Sequence, residues 1–183
     1  MDFVSQLRKT TLKSLESVKQ HRKKLSELTE GRDRSIYKDS YIDDLIKEEQ
    51  ANTEQAISEG KKAIQALTDS YKREIAMRYT PDGAQLTEDA ALLSSGIKLN
   101  AEDLKRLCEK NKGNLTMQRL IYEYANENGI SLLQTYFSEE DTLGGVDTMA
   151  KYAVSALESE WREAIITNDD YFSKIIPAAL KEY

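Results

Sequence analysis

The stretch SYIDDLIKEEQANTEQAISEGKKAIQALTDSYKREIAMRY, residues 40–79, decides the fold. Its apolar side chains recur every three or four residues, which is typical of an α-helix with one buried face. The turn Thr80-Pro81-Asp82-Gly83 follows, and its proline disfavours helical geometry at the preceding residue. The sequence therefore predicts one helix, N-capped by Ser40, that is roughly 60 Å long at about 1.5 Å per residue.

Part of this helix has the spacing of a coiled-coil seam. Positions 57, 60, 64, 67 and 71 follow alternating steps of three and four residues. Glycine at position 60 weakens the helix by roughly 1 kcal/mol relative to alanine. A helix this long needs cover along its length, so we predict a homo-oligomer. The predicted interface consists of the apolar residues of the seam: Ile57, Ile64, Leu67 and Tyr71.

Another amphipathic helix is predicted on the N-terminal side of residues 40–79. Its apolar residues predict a helix from about Val4 to Leu28, with Gly31 as its stop. The connection at 29–39 is short enough for a helical hairpin, and exchange of the helices between chains is the alternative. Residues 1–80 are therefore predicted to form an extended arm of two long helices.

The charge of the chain is unevenly distributed. Residues 1–35 have a balance of +4, whereas the remainder has a balance of −10. Basic side chains that could contact an acidic protein partner or several phosphates lie within about four helical turns: Arg8, Lys9, Lys13, Lys19, Arg22, Lys23 and Lys24. Glu16 and Glu27 interrupt this run, and no aromatic side chains interleave with it for base stacking. Nucleic-acid binding is therefore possible but not favoured.

The second half of the chain contains the start and stop signals of several short helices. Asn100 and Asp103 have the spacing of a capping box, and Gly113 is placed to end the helix that they begin. Asn114 and Gly129 are expected to bound the next helix in the same way. This half is therefore predicted to be a compact all-helical domain.

The boundaries of helices and loops are less clearly marked in the rest of this half. The apolar residues 130–137 are interpreted as helix, and SEEDTLGGVD, residues 138–147, as a loop. A further helix is predicted over 146–166, with Trp161 on its buried stripe. Residues 178–183 are interpreted as a tail.

These patterns together predict an all-α protein. A long helical hairpin or coiled-coil arm at 1–80 is followed by a compact domain of short helices at 84–177. Two prolines and eight glycines leave little room for the many turns of an all-β fold. The chain has no apolar run of the roughly 20 residues that span a bilayer, and its start lacks a secretory signal. One cysteine fits a reducing compartment, so we expect a cytoplasmic protein without membrane contact.

The residues that usually carry chemistry are scarce. His21 lies among basic residues, and we expect it to be an exposed side chain with no carboxylate to orient it. Cys108 lies beside apolar residues and is expected to be a buried, inert thiol. Acidic pairs occur, but none has the spacing of a calcium loop. We expect no catalytic residues, cofactor or metal; a hydrolase that uses carboxylates alone remains formally open.

The segment SSGIKLNAEDLKRLCEKNKGNLTMQRLIYEYANENGI, residues 94–130, resembles uncharacterised structural proteins that phages and prophages of low-GC Gram-positive bacteria encode near their capsid genes. The resemblance implies a virion-associated or scaffolding-like assembly role, in the host cytoplasm or the virion, with capsid or head components as partners. A cytoplasmic nucleic-acid-associated accessory protein that uses the basic first helix is the alternative.

Overall fold

The computed structural model describes residues 2–34, 40–132 and 136–181. These residues form eight α-helices and three short 3-10 turns, and no β-strand occurs among them. The helices are α1 (Phe3–Arg34), α2 (Ser40–Tyr79), α3 (Asp89–Ser94), α4 (Ala101–Lys110), α5 (Leu115–Glu127), α6 (Glu139–Glu158), α7 (Ala164–Thr167) and α8 (Asp169–Ile175). The predicted all-α class is confirmed, as are the bounds predicted for the long helix α2.

Helices α1 and α2 form an antiparallel hairpin within one chain. Contacts along the pair fix its register: Phe3 with Tyr71, Ser14 with Gly60, His21 with Glu49, and Arg32 with Asp43. Residue numbers rise along α1 as they fall along α2, so the two helices run in opposite directions. The structure thus pairs the long helices in cis, an arrangement that the sequence left open. Of the predicted connection at 29–39, residues 29–34 belong to α1, and residues 35–39 lie outside the described residues.

Helices α1, α2 and α6 approach one another closely at Gly60. A Cβ atom built at Gly60 would lie 2.7 Å from Cδ1 of Leu157 and 2.9 Å from Cβ of Ser14. Real Cβ atoms do not approach other atoms so closely, so an alanine there would force the helices apart. The missing side chain is therefore a requirement of the packing, although helix propensity alone marks this position as a weak link.

Contacts divide the chain into two compact units. The first contains the described residues of Met1–Tyr71 and Gly144–Tyr183, and the second is Lys72–Leu143. This grouping differs from the predicted arm at 1–80 and domain at 84–177. The difference arises because the C-terminal helices contact α1, and because α2 and α6 each contribute to both units.

The second unit contains a small core between α4 and α5. Its buried residues are Leu104, Leu107, Cys108, Ile121 and Ala125. Asn100 accepts hydrogen bonds from the backbone N–H groups of Glu102 and Asp103, and Asn114 accepts one from Met117. The predicted caps are therefore confirmed. Burial raises the pKa of the Cys108 thiol, in keeping with an unreactive side chain.

Two interpretations of glycine-containing segments are wrong. Helix α1 continues through Gly31 to Arg34. The predicted loop at 138–147 is instead the start of α6, because Ser138 and Asp141 cap each other's backbone N–H groups. Gly145 then lies inside the helix, where a Cβ atom would be 3.3 Å from Leu180 Cγ.

The C-terminal region also differs from its prediction. The helix predicted over 146–166 ends at Glu158, and Trp161 lies in a 3-10 turn with 79% of its surface exposed. Among residues 130–137, the described ones are not helical, and 133–135 lie outside the described residues. The predicted tail contains a 3-10 turn in which Leu180 is buried, because this side chain packs near Gly145.

Substitution of Gly60 tests the close approach of the three helices. We expect Gly60→Ala to lower the free energy of unfolding by about 1–3 kcal/mol, because the new methyl group overpacks the junction. The matched control is Gly31→Ala, where a Cβ atom would meet no other atom within 4 Å. That control is expected to raise the free energy of unfolding by about 0.5–1 kcal/mol through helix propensity. Urea unfolding measures both, and two changes of the same sign would contradict the packing described.

Candidate interaction surface on the first helix

The first predicted cation, Arg8, is used inside the fold. Its Nε atom donates a hydrogen bond of 3.0 Å to the carbonyl oxygen of Ile166, and its guanidinium lies 4.8 Å from the ring centroid of Phe172. It also forms an ion pair with Asp169. Because these contacts occupy both the face and the edge of the guanidinium, Arg8 holds the C-terminal helices against α1.

Arg22 and Lys19 converge on a second acidic partner, Glu163. Nη1 of Arg22 lies 3.2 Å and Nζ of Lys19 lies 2.6 Å from the Glu163 carboxylate, which is largely buried. Arg22 also donates a 2.8 Å hydrogen bond to the carbonyl oxygen of Leu157, in the last turn of α6. Arg22 therefore stabilises the end of α6, where the backbone carbonyls lack hydrogen-bond partners within the helix.

The third acidic partner is Glu49 of α2, which is 2% exposed. Its carboxylate accepts hydrogen bonds from Nδ1 of His21 at 2.5 Å and from Nζ of Lys24 at 2.7 Å. The Lys24 and His21 hydrogen bonds hold the pKa of Glu49 below its usual value. The expectation of an exposed His21 without a carboxylate is therefore wrong: the ring is half-buried and bonded to Glu49.

Sequence reasoning missed this cluster, although a signal was present. Ile46 and Ala56 lie on the buried stripe of α2, and helical spacing places Glu49 and Thr53 on the same stripe between them. A carboxylate on a buried stripe requires a cationic or hydrogen-bonding partner. The pairing of α1 with α2 supplies it, and that tertiary contact cannot be read from spacing along one helix.

Other predicted cations remain at the surface. Lys9, Lys13 and Lys23 are exposed, and Lys23 forms a long ion pair with Glu27, at 3.9 Å. For Lys9 and Lys13, the part of the chain that the structure describes offers no ion pair. Helical spacing places these three lysines along the outer face of α1. The seven predicted cations thus divide into those that hold the fold together and those that face outward.

A groove runs along this outer face. Its volume is about 400 Å³, and its lining is mostly apolar. The lining residues come from α1 and from the end of α7: Leu12, Leu15, Glu16, Lys19, Gln20, Lys23 and Thr167. Leu12 is 38% exposed and is the large apolar side chain that this groove presents to solvent. We call these lining residues, together with Lys9 and Lys13, the α1 outer face.

The residues of the predicted oligomer seam lie elsewhere. Ile64 is 1% exposed, and the ring of Tyr71 stacks on Phe3 with centroids 4.6 Å apart. Ile57 and Leu67 are partly buried. The seam is therefore largely occupied within the chain, and oligomerisation through it stays a prediction that this burial does not favour.

The second unit holds one further buried acid, Asp89. Its carboxylate accepts hydrogen bonds from Nζ of Lys110 at 2.7 Å and from Nδ2 of Asn111 at 3.0 Å. The hydrogen bond from Lys110 is the main cause that lowers the pKa of Asp89, and that from Asn111 adds to it. Both partners lie at the end of α4, so this cluster ties the start of α3 to that end.

The described ranges contain neither a candidate metal cluster nor a membrane-spanning helix. Residues 2–34, 40–132 and 136–181 contain no cluster of three or more His, Cys, Asp or Glu side chains that could hold a metal ion. No helix among them is long and apolar enough to cross a membrane. Comparisons with known protein families, with curated proteins and with solved structures find no match to this chain. The α1 outer face, with its groove and its exposed lysines, is the candidate functional site.

The buried cluster around Glu49 can be tested by mutation. We expect Glu49→Ala to lower the free energy of unfolding by about 1–3 kcal/mol, because His21 and Lys24 then lose their acceptor. The neighbouring exposed residue Glu48 supplies the control. We expect Glu48→Ala to change the free energy of unfolding by less than about 0.5 kcal/mol. Chemical denaturation at neutral pH measures both, and an equal loss in the two variants would contradict the role of Glu49.

The lowered pKa values of Glu49 and Asp89 predict how stability depends on pH. A carboxyl whose pKa is lower in the folded state contributes stability above its unfolded pKa and loses it as pH falls through the folded pKa. The free energy of unfolding should therefore fall progressively below about pH 4.5, the ordinary value for glutamate. Urea unfolding between pH 7 and pH 3 measures this. Glu49→Gln should flatten the acid limb, and an unchanged slope would contradict the assignment.

Proposed function

We propose that this chain is a non-enzymatic assembly protein that docks on another protein through the α1 outer face. The resemblance of residues 94–130 to phage and prophage structural proteins supports a virion-associated or scaffolding-like setting, with capsid or head components as partners. The groove at Leu12 carries the proposal, because an apolar groove bordered by charged side chains is a common form of protein-binding site.

The arrangement of polar groups supports binding over catalysis. The buried acids Glu49, Glu163 and Asp89 are each bonded to cations of the same chain. A catalytic acid or base needs a free face toward a substrate, and a buried carboxylate saturated by such partners lacks one. These three acids therefore act as structural ties between helices.

Nucleic-acid binding is the second candidate, and the geometry weakens it. Arg8, Lys19, Arg22 and Lys24 have acidic partners within the chain. Each phosphate contact by one of them would have to displace a carboxylate, at a cost in affinity. The outward-facing lysines are too few for a strong electrostatic footprint in a chain whose net charge is −6.

Site-specific crosslinking tests the docking function. With the photo-crosslinking residue p-benzoylphenylalanine in place of Leu12, we expect an adduct with a discrete protein in the cells that make this chain naturally. The same residue in place of Lys62, an exposed position on α2, is the control and should give no such adduct. Gel shift and mass spectrometry identify the product. Absence of a protein adduct at position 12, or an adduct with nucleic acid there, would contradict the proposal.

A further inference from the structure

We infer that the occupant of the groove is an acidic amphipathic helix of a partner protein. This inference rests on the proposed docking function and specifies the chemistry of the partner. The argument comes from the shape of the groove, from the charge along its rim and from the way the chain uses its other cations.

The groove has the dimensions of a helix-binding site. Its lining runs from Leu12 to Lys23 along α1, a length of roughly 16 Å at about 1.5 Å per residue. Two to three turns of a second helix cover that length and present apolar residues at positions i, i+3 or i+4, and i+7. On the α1 side, the exposed apolar surface comes from Leu12, because Leu15 is only 2% exposed. Packing of such a ridge would cover Leu12, which is otherwise partly exposed to solvent.

The rim of the groove selects for acidic side chains. Between positions 9 and 23, the exposed charged residues of α1 are four lysines and one glutamate, Glu16. Lys19 is already paired with Glu163, and Lys23 has a long ion pair with Glu27 that leaves its side chain exposed. Lys9 and Lys13, at the N-terminal end of the α1 outer face, are exposed and have no ion pair in the described part of the chain. Aspartate or glutamate residues that flank an apolar ridge would meet these lysines on docking. A basic helix would meet like charge at the same places.

Other occupants are disfavoured by the same features. A nucleic acid would use the lysines but would leave the apolar floor at Leu12 unfilled, so its binding would not depend on that side chain. A second copy of this chain would need an exposed acidic helix with an apolar ridge. The outer positions of α2 near Asp44, Glu48 and Glu59 are acidic but are interrupted by lysines. The large exposed apolar side chains of α2, Tyr41 and Met77, lie near its two ends and form no ridge.

The probe for this inference is a synthetic helical peptide of about 18 residues, long enough to form several turns. It carries leucine at the i, i+3, i+7 spacing and glutamate on both flanks. A second peptide has lysine at every glutamate position. Fluorescence anisotropy with the full-length chain measures binding of each, and a duplex DNA oligonucleotide is the third probe. We expect the glutamate peptide to bind about tenfold more tightly than the lysine peptide.

Variants of the α1 outer face locate the site. Leu12→Asp, and the double change Lys13→Glu with Lys23→Glu, should each weaken binding of the glutamate peptide about tenfold or more. The control Lys62→Glu makes one charge reversal on α2 and should leave the affinity within about twofold. All of these positions are at least one-third exposed, and circular dichroism verifies that each variant keeps its helix content.

The outcomes separate this inference from the docking function. Failure of the glutamate peptide to bind, or equal binding of the lysine peptide, overturns the acidic helix as occupant. If crosslinking at position 12 still captures a protein, the docking function stands and only the chemistry of the occupant is wrong. If both experiments fail, both proposals are overturned. DNA binding that is insensitive to Leu12→Asp overturns them in favour of the nucleic-acid alternative.

Discussion

The close approach of α1, α2 and α6 at Gly60 is the constraint on which the first unit depends. At Gly60, Leu157 and Ser14 occupy the space that a side chain would need. A shift of α2 by one residue would carry the glycine off this face and place a larger residue against both neighbours. The register of the hairpin is therefore set by the lack of a side chain at Gly60 as well as by the apolar stripe. That register also brings Glu49 opposite His21 and Lys24.

Charge complements this packing within the same chain. From the sequence alone, the basic first helix and the acidic remainder of the chain could pair between two molecules. The structure joins them internally instead, since Glu49 and Glu163 are buried against cations of α1. A buried acid without such a partner would cost several kcal/mol, so these pairs favour one register over its alternatives. The remaining lysines face outward. Because the other cations of α1 are bonded to acids within the chain, these lysines make the α1 outer face basic.

Local signals predicted a large part of this fold. The span of α2, the turn at Pro81 and the caps at Asn100 and Asn114 depend on neighbours in sequence, and the structure has them as predicted. The failures depend on contacts between distant residues. Two adjacent glycines indicated a loop at 138–147, but the capping of α6 and the packing of Leu180 near Gly145 favour helix there. The candidate site was predicted only as a set of basic residues. Which of them face outward depends on acids that lie far away in the chain.

Light scattering coupled to size exclusion tests the central claim most directly, namely that the two long helices close on each other within one chain. The account predicts a single species with the mass of one chain, 20.8 kDa, at low and high salt and over a wide range of concentration. This follows because Ile64 of the seam is already buried and Tyr71 of the seam already stacks on Phe3 within the chain. A defined oligomer that resists high salt would contradict it. That result would favour pairing of the apolar seam of α2 between chains.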